Sequence, residues 1–191
     1  MYYKKLNLIL LCLASVCITS CQSYFYSKVP EPFTSNAETQ EIDNSLYAKK
    51  LQKLVDKEFP KADLKIASDH FNILIVGQVD SQGTKEAVVE LIKKQQAVRE
   101  VFDYTTITEN PSYDSSSSIV YKVQERLSKE PDIISKRITV IYADGVIYLM
   151  GTNIGDLSHL ARAIKGIYVI EGVTKVVNLV IPGRSDYNSG R

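Results

Sequence analysis

The sequence predicts an α+β protein built from two tandem small α/β sandwiches. Each has the element order α-β-β-α-β, with a three-stranded mixed sheet and two helices on one face. Residues 64–79 and 137–152 each hold two apolar runs and a late glycine, Gly77 or Gly151, about 74 residues apart. The segments around both hairpins alternate between helical and strand periodicity in the same order. A strand, a helix and a strand in succession form a crossover, which should be right-handed if the two strands are adjacent and parallel.

Composition sets limits on function. The chain has 191 residues, 45% of them hydrophobic and 24% charged, which is typical of a globular protein. Its formal net charge of +1 gives no support for a nucleic-acid partner. Cys12, Cys17 and Cys21 all lie near the N-terminus, so the body of the protein has neither an internal disulfide nor a thiolate metal site.

Residues 1–20 have the pattern of a lipoprotein signal peptide. Lys4 and Lys5 precede an apolar stretch at 6–18, which has the length of a signal h-region and is too short to span a bilayer as a helix. At the end of this stretch, Ile18-Thr19-Ser20-Cys21, an apolar residue and two small residues before a cysteine, resembles a bacterial lipobox. That resemblance implies cleavage before Cys21 and acylation of this cysteine by diacylglycerol and a third chain such as palmitate. The alternative is an ordinary cleaved signal that happens to contain cysteines.

Residues 21–42 are expected to be the lipidated N-terminus and a flexible tether. The segment contains Pro30 and Pro32 and has no apolar periodicity. Each buried methylene of an acyl chain contributes about 0.8 kcal/mol, so two or three chains anchor firmly where one does not. Gln22 fits export to the outer membrane, by a rule that varies between bacteria.

The first domain is predicted at 43–108. A helix ends before Pro60, two strands follow around 64–67 and 71–79, a helix covers 83–96, and a third strand covers 98–107. Residues 109–118 form a serine-rich linker that also supplies helix caps.

The second domain is predicted at 119–183 and a polar tail at 184–191. Its first helix stops before Pro131, and the hairpin turns at Asp144-Gly145, a strong signal for a type I′ turn. Asp156 is the expected cap of the next helix, and the last strand covers 174–181. The apolar face of that helix is predicted to consist of Leu157, Leu160, Ala161, Ile164 and Tyr168. Both faces of the hairpin are apolar, so the face away from the helices is expected to meet the first domain or a partner.

No motif predicts catalysis, a metal site or a cofactor. The spacings GxGxxG and GxxxxGKS are absent, and His70 and His159 have no ligand cluster around them in the sequence. Asp144 is explained by the turn, and the serines at 115–118 by a helix cap. We therefore expect a protein that is not an enzyme.

The second unit resembles the BON domain (bacterial OsmY and nodulation). The match is carried by Ile138-Thr139-Val140, by residues 144–151, and by Gly172-Val173 leading to Val176 and Asn178, which is similar to the family ending GV-x-x-V-x-N. The first unit is more divergent: His70-Phe71 stands at the Asp144-Gly145 turn, Ala97 stands at Gly172 and Asp103 at Asn178.

With the lipobox and tether, the whole chain resembles the dual-BON outer-membrane lipoproteins. The resemblance implies a lipid-anchored protein of the outer membrane that faces the periplasm and maintains envelope integrity. It also implies binding of anionic phospholipid by a helix of the second BON domain. A soluble relative is associated with chaperoning of exported proteins, so the alternative is a periplasmic interaction module or chaperone with envelope protein partners.

The candidate lipid-binding surface is the first helix of the second domain. Lys122, Arg126 and Lys129 flank its apolar face, and Tyr121 lies nearby. Basic side chains beside an aromatic suit anionic headgroups, and each basic contact contributes about 1 kcal/mol. The alternative is a solvated helix face, because Glu125 and Glu130 dilute the positive charge.

Overall fold

The computed structural model describes residues 37–131, 133–153 and 157–182. The signal peptide, Cys21, residues 22–36, the cap Asp156 and the tail at 184–191 lie outside the described residues. The elements of the first domain are α1 (Ala37–Glu58), β1 (Asp63–Asp69), β2 (Asn72–Val79), α2 (Gln82–Lys93) and β3 (Glu100–Ile107). Helix α1 begins at Ala37, inside the segment that the sequence assigns to the tether, so the helical structure starts before residue 43.

The second domain repeats this order. Its elements are α3 (Ser117–Ser128), β4 (Ile138–Ala143), β5 (Val146–Asn153), α4 (Leu157–Ile167) and β6 (Lys175–Pro182), with a 3₁₀ turn at Ser135–Arg137 before β4. Each sheet has its first two strands antiparallel and its last two parallel, in the orders β1-β2-β3 and β4-β5-β6. The predicted fold class and the mixed sheets are confirmed.

The two hairpin tips adopt the same conformation from different residues. Asp144 (φ 48°) and Gly145 (φ 82°) form the predicted turn with two positive φ angles. His70 (φ 49°) and Phe71 (φ 64°) adopt the same turn without a glycine. A bulky residue at positive φ is strained, and Phe71 packs edge-on against Tyr47 with ring centroids 5.4 Å apart. The tip of the first hairpin has therefore diverged in sequence while keeping its backbone.

Gly77 and Gly151 are required by a close approach between strands. Both have positive φ. A Cβ at Gly77 would collide with the carbonyl oxygen of Asp63, the first residue of β1, and a Cβ at Gly151 with that of Arg137, the residue just before β4. The sequence predicts a bulge or a close backbone approach to a helix. The structure instead places a backbone carbonyl from the start of the antiparallel partner against each glycine.

Helix α4 has a different buried face from the predicted one. Leu160, Ala163 and Ile167 are buried, whereas Leu157 and Tyr168 are exposed. The prediction included Leu157 and Tyr168 but omitted Ala163 and Ile167. Because only one side of the helix meets the sheet, the other apolar residues remain at the surface.

Each domain has its own core between its sheet and its helices. Leu51, Val55, Ile73, Ile75 and Ile92 belong to the first core. The second core is formed chiefly by Val123, Leu127, Ile147, Leu149 and Ile167.

A third apolar cluster joins the two sheets face to face. It contains Leu74, Val76, Ile141, Tyr148 and Met150, which alternate along their strands with the residues of the two domain cores. The rings of Tyr104 and Tyr148 lie 5.1 Å apart across this contact. The second apolar face of the hairpin therefore meets the first domain, which is one of the two occupants expected from the sequence.

Candidate functional site

Helix α3 presents the predicted lipid-binding residues from a well-anchored position. The Ser116 hydroxyl accepts a hydrogen bond from the Ile119 amide, as expected for the serine-rich linker. Val123 and Leu127 are fully buried and fix the rotation of the helix about its axis. Tyr121 is 68% exposed, and Lys122 and Lys129 are also exposed.

The three predicted cations differ in their surroundings. Lys129 Nζ lies 2.7 Å from Glu125 Oε1 in an exposed i,i+4 pair. The hydrogen bond from Lys129, together with its charge, lowers the pKa of the Glu125 carboxyl. Exposed pairs of this kind contribute little to stability and exchange readily with other partners. Lys129 can therefore turn from Glu125 to an external anion at small cost.

Arg126 belongs to a contact between helices. Its guanidinium lies against Gly166 of α4, where no side chain fits. It is also 3.0 Å from Glu130, which is only 6% exposed. Arg162 of α4 donates a second hydrogen bond to Glu130, at 3.2 Å. Because this network joins α3 to α4, Arg126 is held away from an external ligand, and the exposed part of the predicted site consists of Tyr121, Lys122 and Lys129.

Asp144 has a role that the sequence did not indicate. Its carboxylate accepts a hydrogen bond from the Asp114 amide at 2.7 Å and another from Gln78 Nε2 at 2.9 Å. The turn residue therefore ties the second hairpin to both the linker and strand β2 of the first domain. Because the hairpin turn already explains Asp144, the sequence gives no signal for its second contact with a distant part of the chain.

A second polar junction lies at the other hairpin. The buried carboxylate of Asp69 accepts hydrogen bonds from Asn44 and from Thr152 of the second domain, both at 3.2 Å. The ring nitrogen Nδ1 of His70 lies 3.0 Å from the same carboxylate. The two domains are therefore joined by polar contacts as well as by the apolar cluster between the sheets.

The last residue of the family ending GV-x-x-V-x-N binds a backbone amide of an edge strand. Asn178 Oδ1 accepts a hydrogen bond from the Val180 amide at 3.1 Å, and Asp103 Oδ1 accepts one from the Thr105 amide at 2.9 Å. Strands β3 and β6 are edges of their sheets, and an unpaired edge amide is a template for wrong pairing. In the first domain Lys85 also covers the edge by donating to the Thr105 carbonyl at 2.6 Å.

The described part of the chain offers neither a metal-ligand cluster nor a membrane-spanning helix. Within 37–131, 133–153 and 157–182, no three His, Cys, Asp or Glu side chains come close enough to hold a metal ion together. Over the same ranges no helix combines the length and apolar character needed to cross a bilayer.

The model of the BON domain matches the chain twice, at residues 43–109 and 115–181. The two matches cover most of the chain and coincide with the two α-β-β-α-β units. This protein therefore belongs to the BON-domain family, as a member with two copies in tandem.

Individual relatives refine this assignment. The chain is 23% identical over 145 residues to the outer membrane lipoprotein DolP of Haemophilus influenzae, covering 73% of this chain and 74% of that protein. Among solved structures, CdsD, a structural protein of the type III secretion system of Chlamydia trachomatis, aligns over 73% of this chain and 94% of its own. That alignment has 11% identity and a TM-score of 0.31. The DolP match supports an envelope-associated, lipoprotein-like protein.

Proposed function

We propose that this protein is a non-enzymatic lipoprotein, anchored through Cys21 in the outer membrane and facing the periplasm. It binds anionic phospholipid through the exposed residues of α3 and thereby supports envelope integrity. The observation that carries the proposal is the exposure of Tyr121 and Lys122 on a helix fixed by the core of the second domain. The similarity to DolP supports the location and the anchor.

Lipid binding by α3 rests on few charges and therefore depends on the anchor. Each basic contact near an anionic surface contributes about 1 kcal/mol, so Lys122 and Lys129 together give only weak binding. An acylated Cys21 would convert this contact into an intramolecular one with a high effective concentration. The segment between Cys21 and α1 reaches at most about 3.3–3.6 Å per residue, which is long enough for α3 to approach the headgroups.

Charge reversal at Lys122 tests the lipid contact. We expect the K122E variant of residues 22–191 to partition onto anionic vesicles about tenfold less than the parent at low salt, because a favourable contact becomes repulsive. The measurement is flotation with anionic and with zwitterionic vesicles. Residues 22–191 contain the whole compact unit that begins at Asn36.

The matched control lies in the first domain. Lys50 immediately precedes the buried Leu51 of α1, as Lys122 precedes the buried Val123 of α3. K50E changes the net charge equally and is expected to leave partitioning unchanged. Equal losses in both variants would show a diffuse charge effect, and no flotation of the parent would overturn lipid binding.

Mass spectrometry of the membrane fraction tests the anchor. We expect an acylated Cys21 at the new N-terminus, and an unmodified Cys21 would contradict the proposal.

A further inference from the structure

Helix α4 and the two residues after it carry a largely exposed apolar stripe, of which Ile164 also packs against the core of its own domain. Leu157 and Tyr168 are each 50% exposed and Val169 is 84% exposed. Ala161 is exposed and Ile164 is half-buried between them. The spacing i, i+4, i+7 and i+11 puts the first four of these residues on one side of the helix. We call the five residues the α4 stripe: Leu157, Ala161, Ile164, Tyr168 and Val169.

The α4 stripe faces away from α3. Arg162 and Gly166 lie on the side of α4 that meets α3. Rotation by about 100° per residue puts the first four stripe residues on roughly the opposite side, and Val169 follows the end of the helix. The Tyr168 hydroxyl accepts a hydrogen bond from the Val176 amide of β6 at 3.4 Å. The stripe therefore runs along the outer flank of the second domain, beside the edge strand β6.

The equivalent helix of the first domain shows that the fold does not require this stripe. The buried Val88 and Ile92 of α2 correspond to the buried Ala163 and Ile167 of α4, about 75 positions later in this repeat. In that register the stripe positions of α2 hold mostly polar or charged residues, namely Gln82, Glu86, Val89, Lys93 and Lys94. The apolar surface is thus specific to the second domain.

Charge indicates what covers the stripe. Helix α4 has no acidic residue and carries the exposed Lys165 next to Ile164, whereas α2 carries Glu86 and Glu90. The other cation of α4, Arg162, faces α3 and pairs with Glu130. Lys175 stands at the start of β6, and Glu171 is the acid of the intervening turn. An exposed row of Leu, Val and Tyr bordered by cations is typical of helices that lie in the interface of an anionic bilayer.

We propose that the α4 stripe is a second membrane contact, which inserts its apolar side chains into the headgroup region of an anionic bilayer. The inference rests on the proposed lipid binding and adds an apolar element to it. Ile119 of α3 lies against Gly172, so the start of α3, with Tyr121 and Lys122, adjoins the end of α4, with Tyr168 and Val169. In the proposed contact the bilayer meets the end of the domain where these two groups adjoin. There the charges of α3 select the lipid, and the stripe, which runs from this end along the flank, supplies apolar burial.

A single fluorescent reporter tests this contact, because the chain contains no tryptophan. We introduce V169W into residues 22–191 and, as a matched control, K94W at the equivalent exposed position after α2. With anionic vesicles the V169W emission is expected to shift to the blue and to be quenched by lipids brominated near the headgroup. The K94W emission is expected to remain that of a solvated side chain.

The outcomes separate this inference from the proposed function. If the protein floats with anionic vesicles while V169W emission stays unchanged, the α4 stripe is not a membrane contact and lipid binding by α3 stands. If the protein does not float, the proposed function fails and this inference fails with it. A blue shift that grows with protein concentration in the absence of lipid would show that a second copy covers the stripe, and would overturn the proposal. An L157E variant that floats as well as the parent would also contradict it, whereas a loss of about tenfold supports it.

Discussion

At the residue scale, two glycines show how a position can be fixed by a neighbouring backbone. Gly77 and Gly151 occupy equivalent places in the two hairpins, and each lies against a backbone carbonyl at the start of the adjacent strand, that of Asp63 in β1 or of Arg137 just before β4. Both also have φ angles that L-residues rarely adopt, 128° and 151°. Substitution must therefore strain the backbone and push the strands apart.

We expect G151A to lower the free energy of unfolding by about 2–4 kcal/mol, because positive φ and a steric collision act together. Urea denaturation of residues 22–191 measures this change. The matched control is G83A in α2, where the added methyl meets only the Ser81 hydroxyl oxygen, at an ordinary contact distance of 4.0 Å, and the backbone φ is ordinary. That substitution is expected to stabilise by about 0.5–1 kcal/mol. A neutral G151A variant would contradict the close approach of the strands.

At the element scale, the packing of α3 against α4 depends on a buried carboxylate. Glu130 accepts from Arg126 on its own helix segment and from Arg162 on α4. Both cations are partly solvated, which reduces the contribution of each pair. This network explains why the sequence predicts one cation too many for a ligand on α3: Arg126 is paired with Glu130.

We expect E130A to destabilise the protein by about 1–3 kcal/mol, because two hydrogen-bonded guanidinium groups lose their partner. E125A removes the exposed partner of Lys129 on the same helix and is expected to change stability by less than about 0.5 kcal/mol. Thermal or urea denaturation distinguishes the two. Equal effects of the two variants would show that Glu130 is no more than a surface charge.

At the scale of the whole molecule, the contact between the sheets lowers the free energy of unfolding as the pH becomes alkaline. Burial raises the pKa of the Tyr148 hydroxyl above its ordinary 10.0, and the charges of Tyr104 and Asp144 add to this. The unfolded chain therefore ionises first as pH rises. The contribution of Tyr148 is complete below about pH 10 and is lost between that pH and the higher folded-state pKa.

We expect Y148F to lose less stability than the parent between about pH 8 and pH 11 in urea denaturation. Tyr113 and Tyr142 also have raised pKa values because of burial, so part of the alkaline loss remains. Y121F removes an exposed hydroxyl and is expected to leave the loss at its parental value. An equal loss in the parent and Y148F would contradict the burial of this hydroxyl between the sheets.

The repeated fold was predictable because its signals are local. Apolar periodicity, the turn at Asp144-Gly145 and the prolines after the helices act within a few residues, and each gave the correct element type. The buried face of α4 was predicted only in part. Periodicity identifies apolar residues but does not state which of them meet the sheet, and Leu157 and Tyr168 remained outside.

By itself, the sequence determined the two α-β-β-α-β units, their mixed sheets and the family, since all of these follow from residue order. Only the tertiary structure decided that the outer faces of the sheets pack on each other, that Asp144 joins the domains and that Arg162 of α4 shares Glu130 with Arg126. These contacts join residues that are distant in the chain or lie on different elements. Their geometry depends on how complete elements pack, which no local pattern specifies.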